Sequence, residues 1–113
     1  MPPVWYQVRD LDAARAFYRD TLGFTETFID FEERWARLAR GEMEIALAEG
    51  EPSEEGGVAH VDVSDLKAEA ERLRAEGVRI GVVFELHGQM RLLDVYDPDG
   101  NRVQLAQDLA GAP

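Results

Sequence analysis

Val8-Arg9-Asp10-Leu11-Asp12-Ala13 recurs 55 positions later as Val63-Ser64-Asp65-Leu66-Lys67-Ala68. Each copy follows an alternating apolar segment and precedes a helical one, so both halves of the chain open as strand, cap, helix. In the first half Val4, Tyr6 and Val8 share one face of a period-two segment, and Trp5 and Gln7 share the other. Asp10 or Asp12 offers a carboxylate to the free N–H groups of a helix start. Ala14, Phe17, Tyr18 and Leu22 then form one helical stripe, and Gly23 supplies the stop. Three short strands are predicted after it, from Phe24 to Ile29, Trp35 to Ala39 and Met43 to Ala48.

The second half repeats the pattern. Val61 and Val63 face one way on a strand from Val58 to Val63, and His60 and Asp62 face the other. A helix is predicted from about Asp65 to Glu76, with Leu66, Ala70 and Leu73 as its buried stripe and Gly77 as its stop. Strands follow near Val78 to Glu85, Arg91 to Tyr96 and Arg102 to Gln107, the last two joined by the turn signal Asp97-Pro98-Asp99-Gly100-Asn101. Between the halves, residues 49–57 hold Gly, Pro and four acids, and read as a linker that connects without packing. The expectation is one α+β domain over 1–113, with module one at about 1–48 and module two at about 58–110.

Composition narrows the function. With 45% hydrophobic and 31% charged residues the chain reads as a globular protein rather than a disordered one. No apolar run approaches the roughly 18 residues that span a bilayer, and Met1-Pro2-Pro3-Val4 lacks the regions of a secretory signal, so a cytoplasmic address and no membrane partner are expected. The lack of cysteine excludes disulfides, thiolate nucleophiles and sulfur-ligated zinc. The net charge of −11 repels phosphate backbones, so nucleic acid is not an expected partner. Acidic surfaces serve solubility, and they also attract cationic ligands.

The run Val8-x-Asp10-Leu11-x-x-Ala14-x-x-Phe17-Tyr18-x-x-x-Leu22-Gly23-Phe24, with Asp97-Pro98-Asp99-Gly100-Asn101-x-x-Gln104-Leu105 far downstream, resembles the vicinal oxygen chelate superfamily of glyoxalases, bleomycin resistance proteins and extradiol dioxygenases. The resemblance implies tandem βαβββ modules forming a curved mixed sheet around a cavity, and a homodimer. It also implies four metal-ligand positions on the first and last strands of each module. Here they fall on Pro3, near Ala46, on His60 and on Gln104. Proline and alanine offer no donor and glutamine is a weak one, so no metal cofactor is expected; a divalent metal, if bound, would use His60, Gln104 and Glu44.

The inward-facing set is Trp5, Gln7, Trp35, Arg37, Glu44, His60, Asp62 and Gln104. Aromatic walls with a few polar handles suit a small organic ligand. Trp5 and Trp35 can stack on a flat or cationic group, while Glu44 and Asp62 can neutralise positive charge. Two function classes follow. One is a metal-free protein that binds a cationic or aromatic small molecule, as bleomycin resistance members do. The other is a superfamily enzyme, glyoxalase I-like or ring-cleaving, with a rearranged site and His60 as candidate base beside Asp62 or Glu44. Gln7 stands where the resemblance implies a glutathione-binding arginine, which disfavours that substrate. His87, in Leu86-His87-Gly88-Gln89, reads as a loop residue near the cavity mouth.

Overall fold

Both helices begin at an aspartate that caps them. Asp10 Oδ1 accepts from the Ala13 N–H and Asp65 Oδ1 from the Ala68 N–H, each at 3.1 Å. These caps open α1 (Leu11–Ala16) and α2 (Leu66–Ala75), and Gly23 and Gly77 beyond their ends take φ of 73° and 80°. The structure, a computed structural model, describes residues 4–109. The Pro3 ligand position therefore lies outside the described residues.

The strands are β1 (Val4–Val8), β2 (Thr25–Asp30), β3 (Trp35–Arg40), β4 (Met43–Glu49), β5 (Ala59–Asp62), β6 (Phe84–Leu86), β7 (Met90–Tyr96) and β8 (Arg102–Asp108). With α1 after β1 and α2 after β5, the order is βαβββ twice, as the repeat implies. The strands form two mixed four-stranded sheets, ordered β1-β4-β3-β2 and β5-β8-β7-β6. In each, the first strand runs parallel to the last and the other pairs are antiparallel. Neither sheet closes on itself.

One helix and two connecting segments differ from the sequence reading. Helix α1 does not run on as a plain α-helix: Phe17–Thr21 forms a π-helical turn that carries Tyr18 into the core. The strand expected from Val78 to Glu85 shrinks to Phe84–Leu86, with one isolated bridge from Ile80 to Val95. Gly81 interrupts the valine-rich run that suggests a longer strand, and Val82 is 83% exposed. The linker does pack: Gly50 N–H donates to Val8 O, and a short 3-10 turn at Glu54–Gly56 lies against the Trp5 backbone. Its small residues permit a close approach that their lack of apolar character conceals.

One apolar cluster joins residues of module one, such as Tyr6 and Leu11, to residues of module two, such as Leu73 and Leu105. Polar bonds cross the same junction. Arg40 at the end of β3 donates to Leu22 O and to Glu69 Oε1 of α2, each at 2.8 Å, and Arg72 donates to Glu69 and to Thr21 O. Burial raises the Glu69 carboxyl, but the bonds from Arg40 and Arg72 outweigh it and the net shift is downward. A carboxyl held lower in the fold adds stability above its unfolded pKa of about 4.3 and loses it as pH falls through the folded value. The melting temperature should therefore drop in acid, and Glu69→Gln should flatten that slope; an unchanged slope would exclude this cluster as its source. Among the described residues no helix is long and apolar enough to cross a membrane.

Candidate functional site

Strand alternation turns Val4, Tyr6 and Val8 into the core and leaves Trp5 and Gln7 on the open face of the first sheet. Cross-strand register extends that face: Trp5 pairs with Ala46, Arg37 with Ala46, Trp35 with Ala48 and Ala39 with Glu44. Five of the expected residues, Trp5, Gln7, Trp35, Arg37 and Glu44, thus share one surface.

An open groove of about 580 Å³ runs over it, lined by Thr27, Phe28, Trp35, Arg37 and Glu44. The rings of Trp35 and Phe28 lie 4.8 Å apart, and the Trp5 and Trp35 indoles stack at 5.5 Å. The Arg37 guanidinium sits 5.5 Å from the Trp35 ring centroid, within cation–π range. On the far side of the indole pair, Trp5 and Gln7 line a smaller groove of about 230 Å³, walled by Ser53, Glu55 and Gly56 of the linker.

Phe28 and Thr27 escape the sequence reading. Strict alternation from Phe24 sends Phe28 toward the core, where Phe24 lies. A bulge between Glu26 and Phe28 shifts the register by one residue, so Phe28 pairs with Arg37 and joins the open face, 44% exposed. A one-residue irregularity in an edge strand leaves no sequence signal strong enough to place it.

The remaining expected residues stand on the second sheet. His60, Gln104 and Asp94 form a row across β5, β8 and β7, and Asp62 follows His60 on the same face. Gln104 Nε2 donates to Asp94 Oδ1 at 3.4 Å. Among the described residues His60 is exposed and hydrogen-bonds neither Asp62 nor Glu44, so the orienting partner that a general base requires is not in place in a single chain. His87 occupies a tight β6–β7 turn with φ of 50°, followed by Gly88 at 70°, and Gln89 N–H donates back to Leu86 O. It shapes that hairpin.

Among the described residues no three His, Cys, Asp or Glu side chains converge. Ala46 is fully buried with a methyl where a ligand is implied, and Glu44 belongs to the first-sheet groove while His60 and Gln104 stand on the second sheet. Within one chain, therefore, Glu44 does not meet His60 and Gln104 at one point, as a divalent ion requires of its donors.

Another cavity, about 660 Å³, lies at the module junction, and nothing in the sequence pattern points to it. Several of its polar groups already have partners: Arg9 pairs with Asp99, Asn101 donates to Asp97 and the Gln7 carbonyl, and Tyr6 Oη accepts from Ala59 N–H and donates to the Arg102 carbonyl. The first-sheet groove, whose arginine and glutamate have no such partners among the described residues, is the stronger site.

A family model described as Glyoxalase/Bleomycin resistance protein/Dioxygenase superfamily matches residues 2–105. No curated protein matches. Among solved structures, an integron cassette protein from the mobile metagenome of the Halifax Harbour sewage outfall superposes with a TM-score of 0.80 at 21% identity, covering 92% of this chain and 94% of that one. The bleomycin-binding protein of bleomycin-producing Streptomyces verticillus, complexed with copper(II)-bleomycin, has a TM-score of 0.67 at 27% identity over 90% of both chains. A genomically encoded fosfomycin resistance protein from Listeria monocytogenes, complexed with Mn(II) and sulfate ion, has a TM-score of 0.76 at 18% identity, covering 92% and 86%.

Proposed function

Because this chain belongs to the Glyoxalase/Bleomycin resistance protein/Dioxygenase superfamily, we propose that it is a cytoplasmic, homodimeric protein that binds an aromatic small molecule in the first-sheet groove without a metal. The observation that carries this reading is the cluster of Trp5, Phe28 and Trp35 rings on an open sheet face, with Arg37 and Glu44 beside them. Aromatic walls hold a flat ligand by area burial and ring stacking, and polar groups at the rim select it. The bleomycin-binding protein among the similar structures supports a binding role.

The expected residues are divided between two sheets, and this division supports the dimer. A second copy would set its His60, Asp62 and Gln104 face opposite the groove and cover the half-exposed Phe28. Its expected mass by sedimentation is about twice the 12.7 kDa of one chain.

Thermal shift and titration calorimetry against flat aromatic compounds test the function. Ligands that raise the melting temperature should bind at least about tenfold more weakly to Trp35→Ala, since a buried aromatic anchor contributes on the order of 2 kcal/mol. His60→Ala should weaken those ligands less than Trp35→Ala does. Ni²⁺, Zn²⁺, Mn²⁺ and Fe²⁺ should leave the melting temperature unchanged; a clear rise abolished by His60→Ala would overturn the metal-free reading.

A further inference from the structure

Arg37 is set apart from the other arginines. Of the half-buried ones, Arg15 pairs with Glu26, Arg34 with Glu49, Arg40 with Glu69 and Arg91 with Glu85. Among the described residues Arg37 has no carboxylate within reach, although the chain carries 23 acids against 12 basic residues. Its Nε is buried without a hydrogen-bond partner. Glu44 lines the same groove, diagonal to Arg37 across the β3–β4 pair, and forms no ion pair with it.

Among the described residues the Arg37 guanidinium is compensated only by its cation–π contact with Trp35, and no anion touches it. Its two terminal nitrogens are neither buried nor hydrogen-bonded among the described residues, and a planar carboxylate suits them best, since it accepts two parallel N–H bonds while the ring behind it lies along the aromatic walls. Building on the proposal that this groove is the binding site, we infer that its ligand is an aromatic carboxylate and that Arg37 is the residue that selects the acid. Glu44 leaves an acceptor nearby, which suits a hydroxyl or amine on the ligand and disfavours a second anionic group. The overall charge of −11 argues for cations only at long range, because salt screens exposed charges beyond about 8 Å at physiological ionic strength. Arg37 acts in contact.

The test compares three probes of one shape, 2-naphthoate, 2-naphthol and 2-naphthylmethylammonium, followed by quenching of Trp5 and Trp35, the chain's two tryptophans. Naphthoate should bind about tenfold or more tightly than naphthol, as befits a charge-assisted hydrogen bond. Arg37→Gln should bring naphthoate down to the naphthol level, with a far larger loss for naphthoate than for naphthol. Naphthoate binding no better than naphthol, tighter binding of the ammonium, or equal losses for all probes in Arg37→Gln would overturn the carboxylate assignment while leaving an aromatic site standing. Quenching by none of the three would overturn the site itself, and this inference with it.

Discussion

Asp97→Ala is expected to lower stability by about 3 kcal/mol or more, because hydrogen bonds to a charged group contribute about 1.5–3 kcal/mol and each buried donor left unpaired costs about 1–3 kcal/mol. Asp97 is only 5% exposed and accepts four bonds. Its Oδ1 takes the backbone N–H groups of Asp99 and Asn101, and its Oδ2 takes Tyr18 Oη and Asn101 Nδ2, all at 2.9 Å. Tyr18 belongs to module one, and Asn101 Nδ2 also donates to Gln7 O of β1. One carboxylate thus organises the turn before β8 and ties the two modules together.

Asp97→Asn should fare little better than alanine, since its amide sets a donor where donors already converge. Tyr18→Phe, which removes one bond, should cost about 1.5 kcal/mol. Burial raises the Asp97 carboxyl despite these bonds. A raised folded pKa contributes stability below the unfolded value that is lost as pH rises through the folded one, so acid stresses this residue less than it stresses Glu69. Thermal melts decide the point: a loss of roughly 12 °C or more is expected, at about 4 °C per kcal/mol for a chain this size. A change of only a degree or two in Asp97→Ala would show that the apolar core alone holds the modules together.

Gly56→Ala should lose about 2–3 kcal/mol, at the upper end of the cost of forcing atoms into a packed site. A Cβ at Gly56 would stand 1.9 Å from the Trp5 carbonyl oxygen and 2.9 Å from its carbon. Both are backbone atoms of a paired strand and cannot swing aside. The linker must lift away or β1 must shift, and either movement disturbs Trp5, so the tryptophan emission should change with the melting temperature. Gly50→Ala is the control, because its Cβ would meet only the Gln7 side chain, at 3.7 Å or more. Equal effects at the two positions would mean that the linker responds to lost chain flexibility rather than to this contact.

Part of the groove is legible in the order of residues along the strands. Alternation about Val4, Tyr6 and Val8 sends Trp5 and Gln7 to the opposite face, and the same period brings Trp35 and Arg37 together on β3. Phe28 is hidden from such reasoning because a bulge reverses its side. The packing of the linker is hidden too, because its contact with Trp5 runs through backbone atoms and the absence of a side chain at Gly56. Asp97 is recognisable as a turn residue. That Tyr18, 79 positions away, donates to it is not.

Residue order is sufficient for the tandem βαβββ arrangement, the two aspartate caps and glycine stops, the turn before the last strand, and the family they indicate. These features depend on neighbours a few residues apart along the chain, where alternation, capping and turn chemistry act. Three outcomes emerge only on packing: His60 and Gln104 stand on a different sheet from Trp35 and Arg37, the linker packs, and Arg37 keeps no carboxylate partner among the described residues. Each of them depends on sheet register and on which distant side chains fill the same space, and energies of that kind arise only when the whole chain has come together.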